Sequence, residues 1–255
     1  MRSRSLLAAG LLACILSPAV SLAADLRVYG PGGPAPAMKE AAAAFGKARG
    51  IEVEVTAGPT PRWIEKALMD ADLVYSGSET MMTDFVAAMD GKLRSEDVRP
   101  LYLRPSAILV RPGNPKGIRG LKDLFEPGHR VLVVNGAGQN GLWEDMAGRL
   151  GDIASVRALR GNIVGFAPNS AEAKKAWTGD ASLDAWIIWN IWERESPDLA
   201  DVVEVEPEYR IYRDTGIAPT QKGKTQPAAR EFMTFLESDE GAAIFERWGW
   251  TMAKR

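Results

Sequence analysis

Two glycines near the start of the chain stand where a protein backbone can hold an anion. They lie in the turn Gly30-Pro31-Gly32-Gly33-Pro34, between a predicted strand over 26–29 and a predicted helix over 35–49. The first N–H groups of a helix have no partner within it, and they attract anions. Because glycine lets the main chain approach a ligand closely, the turn is predicted to bind an anion through its backbone. A turn that needs glycine only for its shape is the alternative.

The other candidate donors follow predicted strands or precede predicted helices. Arg62 is prominent, because a guanidinium can hold an anion with two hydrogen bonds. The alternative is a surface arginine at a helix start, where a positive charge is unfavourable. Serines before a helix often only cap it, and the alternative for Gln139 and Asn140 is that they are ordinary loop or cap residues. With the two glycines, the residues predicted to bind ligand are Gly32, Gly33, Thr60, Arg62, Ser76, Ser78, Gln139, Asn140, Ser170, Trp189, Asn190 and Arg213.

Tryptophans accompany several of these donors. Trp186, Trp189 and Trp192 are spaced by three, and Trp189 ends a predicted strand over 183–189. Core packing accounts for at least one of them. Indoles beside an anion site favour a ligand that has an apolar or sugar-like body as well as a charged head. The predicted ligand is therefore sulfate, a related oxyanion or an organic anion such as a sulfate ester.

Composition disfavours several other functions. His129 is the single histidine of the 255 residues and stands in a predicted turn, so neither a Ser–His–acid triad nor a histidine metal site is indicated. No cofactor is predicted. The enzyme alternative is a hydrolase that uses carboxylates such as Asp184 and Glu193 with a metal, and turnover of sulfate or phosphate esters would favour it. Acidic residues outnumber basic residues, and this excess does not favour nucleic-acid binding.

The first residues read as an export signal. Arg2 and Arg4 precede an apolar run over 6–16, and Ser21-Leu22-Ala23 supplies a small–x–small cleavage pattern. Cleavage after residue 23 removes both arginines, which leaves 29 basic and 33 acidic residues, a net charge of −4. It also removes Cys14, the single cysteine. A lipoprotein anchored at Cys14 is the alternative to a free periplasmic protein.

Strands and helices alternate along the rest of the chain. Strands are predicted over 26–29, 51–56, 72–75, 102–111, 130–134, 183–189 and 201–205. Helices are predicted over 35–49, 61–69, 79–89, 142–150, 152–159, 170–177, 227–237 and 239–247. Repeated strand–helix units indicate an α/β fold with parallel sheets, which bind ligands beyond the carboxyl ends of their strands. Extended segments near 102–106 and 206–216 predict two lobes joined by two crossing segments. The predicted lobes are 24–104 plus 210–255, and 105–209.

Over essentially the whole mature chain, the sequence resembles the periplasmic binding proteins of the molybdate/sulfate-type ABC importers, and within them the accessory colonization factor AcfC group. Three segments carry the resemblance: the strand, turn and helix start at 28–38, the segment Ala71-Asp-Leu-Val-Tyr-Ser-Gly77, and the helix pair at 232–249 with its aromatic–glycine–aromatic end. The resemblance implies a type II periplasmic binding protein fold that closes on a ligand without catalysis.

The resemblance also implies partners. They are a small anionic ligand and an ABC permease of the inner membrane, with a chemoreceptor or sensor as the alternative, and the protein is expected to be a monomer. The sequence departs from the molybdate pattern at Gly33, at the loop Gly58-Pro-Thr-Pro-Arg62 and at Trp189. These departures remove hydroxyl donors and add an arginine and an indole. They favour sulfate esters, sulfonates and small carboxylates at least as much as molybdate.

Overall fold

A computed structural model describes residues 24–136 and 138–252 of the chain, so the predicted export signal lies outside the described residues. The first half alternates strands and helices: β1 (Leu26–Gly30), α1 (Ala35–Arg49), β2 (Val53–Ala57), α2 (Ile64–Asp70), β3 (Leu73–Tyr75) and α3 (Glu79–Ala88). β1 pairs in parallel with β2 and with β3. Local sequence sets the ends of α1, which has proline in its first turn and left-handed Gly50 after its last residue.

Two long strands connect this half to the second. β4 (Arg99–Val110) and β9 (Tyr212–Pro219) pair antiparallel, and β9 also pairs with β3. The second half of β4 leaves β9 and pairs instead with β7 (Ala185–Trp189) and β8 (Asp201–Glu204). Pro105 lies at this change of partners, opposite Tyr212. β4 therefore belongs to the sheets of both halves.

The second half repeats the strand–helix pattern. It contains β5 (Val131–Val134), α4 (Leu142–Ala147), α5 (Ile153–Asn162), β6 (Ile163–Ala167), α6 (Ser170–Gly179) and α7 (Ile191–Glu195). β5 lies in parallel between β6 and β7, so the strand order across the described part of the chain is β2-β1-β3-β9-β4-β7-β5-β6, with β8 on β4.

The last two helices return to the first half. α8 (Pro227–Leu236) packs on α1, where the rings of Phe45 and Phe232 lie 5.2 Å apart. α9 (Asp239–Arg247) packs against β4, where the Tyr102 and Phe245 rings stack at 4.5 Å. None of the helices in the described residues is long and apolar enough to cross a membrane.

The predicted elements agree with these bounds to within a few residues, with four corrections. The helix predicted over 61–69 is a single 3-10 turn at Thr60–Arg62 followed by α2, because Trp63 leaves helical geometry between them. The extended segment predicted near 206–216 begins as a turn, and its strand runs from Tyr212 to Pro219. β6 and α7 were not predicted, since both are short and β6 has Gly165 at its centre. The proposed lobe boundaries stay a prediction.

Candidate ligand-binding site

A cavity of about 260 Å³ lies where the turns after the strands of the two halves face each other. The first half contributes the turns that follow β1, β2 and β3, and the second contributes the start of α6 and the end of β7. This is the edge at which open α/β sheets bind ligands. The lining residues are Pro31, Gly32, Gly33, Pro34, Gly58, Pro59, Thr60, Gly77, Met81, Arg104, Gln139, Asn169, Ser170, Ala171, Lys174, Trp189, Trp192 and Glu195.

Arg104 is the buried charged residue in the lining of this cavity. It comes from the middle of β4 and is only 4% exposed. Its guanidinium carbon lies 4.8 Å from the ring centre of Trp189 and 5.0 Å from that of Trp250. The two indoles therefore hold a planar cation by cation–π contact.

The polar contacts of Arg104 leave its charge uncompensated. Its Nη2 donates a 2.5 Å hydrogen bond to the carbonyl of Gly77, and its Nε has no partner. No carboxylate among residues 24–136 and 138–252 lies within 4 Å of it. Burial lowers the pKa of Arg104 to about 9, and the more distant carboxylate of Asp214 partly opposes this shift. A buried charge is costly unless it is paired, so this guanidinium favours an anion in the cavity.

Two glycines make room for the guanidinium. A Cβ atom on Gly33 would lie 2.8 Å from Nη1 of Arg104, and one on Gly77 would lie 3.0 Å from Nη2. Neither glycine has a left-handed backbone, so the close approach of Arg104, rather than backbone geometry, requires glycine at these positions.

The second half presents polar groups to the same cavity. Gln139 is buried, and its Nε2 donates a 2.7 Å hydrogen bond to Oγ of Ser170 while its Oε1 has no partner among the described residues. One turn into α6, Nζ of Lys174 donates a 2.7 Å hydrogen bond to Oγ of Ser196. Glu195, at the end of α7, is exposed and lines the rim. The cavity lining thus contains two cations, Arg104 from β4 and Lys174 from α6.

Tryptophans form the apolar part of the lining. Trp189 is 1% exposed and Trp192 is half-buried. The indole N–H groups of both are shielded from solvent and have no acceptor within the described part of the chain. Because these nitrogens have almost no accessible surface, the two side chains offer ring surface rather than hydrogen-bond donors to the cavity.

Six of the predicted site residues line the cavity: Gly32, Gly33, Thr60, Gln139, Ser170 and Trp189. The glycines and Thr60 lie in the turns after β1 and β2, Ser170 begins α6, Trp189 ends β7 and Gln139 lies in the loop between β5 and α4. The structure brings these six together with Arg104.

Three other predicted residues are engaged within the fold. Ser76 is buried, and its Oγ accepts a hydrogen bond from the backbone N–H of Gly216. Ser78 caps α3 by accepting the N–H of Met81 at 3.1 Å. Asn190 donates a 2.7 Å hydrogen bond to the carbonyl of Gly249. None of the three lines the cavity.

The remaining three do not line the cavity either. Arg62 and Asn140 are exposed to solvent. The 3-10 turn at Thr60–Arg62 places Thr60 at the cavity and leaves Arg62 outside it. Arg213 pairs with Asp145 at 2.9 Å, which links β9 to α4 across the two halves.

Sequence reasoning missed Arg104, Lys174, Trp192 and Glu195. A signal for Arg104 was present, since it is a charged residue within the otherwise apolar segment Leu101-Tyr-Leu-Arg-Pro-Ser-Ala-Ile-Leu-Val110. The carboxylates of the enzyme alternative, Asp184 and Glu193, do not line the cavity. Among the described residues, no group of three or more His, Cys, Asp or Glu side chains could hold a metal ion.

The sequence matches the family model of bacterial extracellular solute-binding proteins over residues 26–251, and the chain belongs to that family. Its members are solute-binding proteins that are typically non-catalytic. No curated protein matches the chain significantly.

Solved structures give the same result. Peb3 from Campylobacter jejuni is 35% identical, with a TM-score of 0.83 over 89% of this chain and 100% of that one. PEB3 solved with bound L-phospholactate is also 35% identical, with a TM-score of 0.84 over the same shares of the two chains. The sulfate-binding protein SubI from Mycobacterium tuberculosis is 19% identical, with a TM-score of 0.70 over 88% of this chain and 85% of that one. The fold is therefore the mixed α/β periplasmic binding protein fold.

Proposed function

We propose that this protein captures a small anion between its two halves and delivers it to an ABC importer. The ligand is an oxyanion such as sulfate, or a small organic anion that carries a phosphate, sulfate or carboxylate head. The protein acts in the periplasm after cleavage of its export signal. Within the family, the proposal places it in the molybdate/sulfate-type branch near the AcfC group.

The observation that carries this proposal is the uncompensated burial of Arg104. Its guanidinium lines the cavity, lies between two indoles and has no carboxylate within 4 Å among the described residues. An anion that accepts hydrogen bonds from it would restore the electrostatic balance. Hydrogen bonds to a charged group contribute about 1.5–3 kcal/mol each.

The rest of the lining favours an organic anion over a bare oxyanion. Trp189, Trp192 and Met81 present apolar surface to the cavity, and Lys174 is a second cation in its lining. A ligand with one anionic head, a short body and a second polar group would contact both cations. The bound L-phospholactate of PEB3, which carries a phosphate and a carboxylate, is consistent with this arrangement.

The test is a thermal-shift titration of the protein after refolding to remove bound ligand. L-phospholactate, sulfate, molybdate and methyl sulfate serve as probes. Binding to the folded state stabilises it by about 2.7 kcal/mol at a ligand concentration 100 times Kd. For a chain of this size, that corresponds to a rise in Tm of about 5–10 °C. No rise with any of the probes would overturn the anion proposal.

Two arginine variants locate the site. Arg104→Gln removes the buried charge and is expected to weaken binding of the best probe by about 10- to 100-fold. Arg62→Gln is the matched control, because Arg62 is exposed and lies outside the cavity. We expect it to bind as the unmodified protein does. The reverse order, with Arg62→Gln the weaker binder, would show that the anion is held elsewhere.

A further inference from the structure

The segment that follows α9 (residues 248–252) reverses direction at a glycine. Gly249 has a left-handed backbone, with a φ of 84°, and its N–H donates to the carbonyl of Glu246 at 2.9 Å. The N–H of Trp250 donates to the carbonyl of Phe245 at 3.1 Å. These two hydrogen bonds form a Schellman turn, which needs glycine at its left-handed position. The turn therefore sets the direction in which Trp250 leaves the helix.

Two contacts hold this segment in place. Thr251 and Leu103 exchange backbone hydrogen bonds of 2.7 and 2.9 Å, which forms a short antiparallel bridge to β4 one residue before Arg104. The carbonyl of Gly249 accepts a 2.7 Å hydrogen bond from Nδ2 of Asn190, directly after β7. The segment is therefore fixed both to β4 and to the second half of the chain.

The indole of Trp250 contacts both the core and the guanidinium of Arg104. Its ring centre lies 6.0 Å from that of Phe245, edge to face, and 5.0 Å from the guanidinium carbon. Tyr102, which stacks on Phe245, shares a face of β4 with Arg104 because side chains alternate along a strand. Trp250 is only 2% exposed and does not line the cavity. It thus contacts the charged lining residue from outside the cavity.

The orientation of Arg104 matters because a guanidinium binds an anion through N–H groups that lie in one fixed plane. Besides Trp250, two groups constrain that plane. Nη2 donates to the carbonyl of Gly77, and the guanidinium carbon lies 4.8 Å from the ring centre of Trp189. The attraction between a cation and an indole is strongest where water is excluded. Of the three contacts, that of Trp250 alone comes from a residue outside the cavity lining.

We propose that Trp250 is a positioning residue for ligand binding, which fixes the plane of the Arg104 guanidinium from outside the cavity. This inference rests on the proposed function of that cavity, in which Arg104 binds the charged head of the anion. The turn at Gly249 and the bridge at Leu103 set the position of the indole. The end of α9 therefore serves the binding site as well as the core.

The test measures Kd for whichever of L-phospholactate, sulfate, molybdate and methyl sulfate gives the largest thermal shift with the unmodified protein. Trp250→Leu keeps an apolar side chain but removes the ring face, and Trp250→Phe restores a ring. Trp248→Leu is the matched control, because Trp248 belongs to the same segment, lies outside the cavity and donates its Nε1 to Glu40 at 2.6 Å. Kd is measured by calorimetry, and Tm without ligand shows that each variant is folded. If Trp250→Leu is unfolded at the assay temperature, Trp250→Met takes its place.

The expected losses of affinity follow the strength of the cation–π contact. Trp250→Leu should bind the probe about 10-fold more weakly, and Trp250→Phe about threefold more weakly, because the ring of Phe attracts a cation less than that of Trp. Trp248→Leu should bind within about twofold of the unmodified protein, even where its Tm falls as far as that of Trp250→Leu.

A double-mutant cycle separates positioning from a general loosening of the fold. If Trp250 acts through Arg104, adding Trp250→Leu to Arg104→Gln should change Kd by less than about twofold, because the guanidinium is already absent. A purely structural role would weaken binding by about 10-fold in both backgrounds. Kd of the weakest variants is obtained from the thermal shift at high ligand concentration, where even a weak complex raises Tm.

Two different failures are distinguishable. The assignment of Trp250 is wrong, while the anion site stands, if the unmodified protein binds a probe and Trp250→Leu loses no more affinity than Trp248→Leu. An equal loss in the Arg104→Gln background would also show that the assignment is wrong. If the unmodified protein binds none of the probes, the proposed function itself is wrong and the assignment of Trp250 falls with it.

Discussion

Replacing Gly33 with alanine tests whether the position of Arg104 controls binding. The added Cβ would lie 2.8 Å from Nη1 of Arg104, whereas ordinary contact begins at 3.4 Å, so the guanidinium must move by about 0.6 Å. That movement is opposed by the hydrogen bond to Gly77 and by the indoles on either side. Overpacking of this kind costs about 1–3 kcal/mol. If that cost falls on binding, Gly33→Ala should bind the anionic probe with the largest thermal shift about 5- to 150-fold more weakly.

Gly161→Ala is the internal control for this experiment. A Cβ atom there would meet no atom within 4 Å and Gly161 lies outside the cavity, so the expected effect on binding is below about 0.5 kcal/mol. Both variants lose similar conformational entropy in the unfolded chain, so that contribution cancels between them. Calorimetric titration measures Kd, and urea unfolding measures stability.

One further variant excludes a competing cause. The Cβ atom on Gly33 would also lie 3.3 Å from Cδ1 of Ile191. Adding Ile191→Val to Gly33→Ala removes that contact and leaves the one with Arg104 unchanged. If the double variant regains the affinity of the unmodified protein, or if Gly33→Ala binds as well as Gly161→Ala, then displacement of Arg104 is not the cause and the reasoning fails.

Three other predictions concern packing and surface charge. Gly223→Ala would overlap the backbone carbonyl of Asp72 and should lower the free energy of unfolding by more than about 3 kcal/mol, whereas Gly179→Ala meets no atom within 4 Å and should be neutral or stabilising by urea unfolding. Hydrogen bonds from Arg247 and Trp248 hold the pKa of Glu40 below its ordinary value, so the contribution of the carboxylate to stability is complete above that ordinary value and is lost as the pH falls through the lowered pKa. The Tm deficit of Glu40→Gln should therefore be largest near pH 7 and shrink as the pH falls through that range; a constant deficit would contradict this. Arg213 and Asp145 are 34% and 51% exposed, so Arg213→Gln should change the free energy of unfolding by less than about 1 kcal/mol and Kd by less than about twofold. A tenfold loss of affinity would restore Arg213 to the binding site.

The secondary structure was largely predictable because its signals are local. α1 begins at prolines and ends at Gly50, and both residues act within their own turn. The apolar segments at β1, β3 and β5 are buried, as strands covered on both faces must be. β6 escaped prediction because it is only five residues long with Gly165 at its centre, and its apolar residues Val164 and Phe166 face solvent at the edge of the sheet.

Six of the twelve predicted site residues, a third of the eighteen that line the cavity, were predictable for a similar reason. Gly32, Gly33 and Thr60 follow parallel strands, and Ser170 begins a helix, so topology alone brings them to one edge of the sheet. Arg62 stands only two residues from Thr60 yet lies outside the cavity. The direction of its side chain depends on a 3-10 turn that the sequence pattern did not distinguish from a helix.

By itself, the sequence determined the alternation of strands and helices, the two crossing strands, the family and the turns suited to an anion, because each of these depends on neighbouring residues. Only the tertiary structure decided which charge faces the cavity. Arg104 lies inside because β4 pairs with β9 in a register that sets Arg104 opposite Arg213, more than a hundred residues away. The indole of Trp250 and the glycines at 33 and 77 then enclose it. Burial and pairing of a charge depend on such distant contacts, and no local pattern in the chain records them.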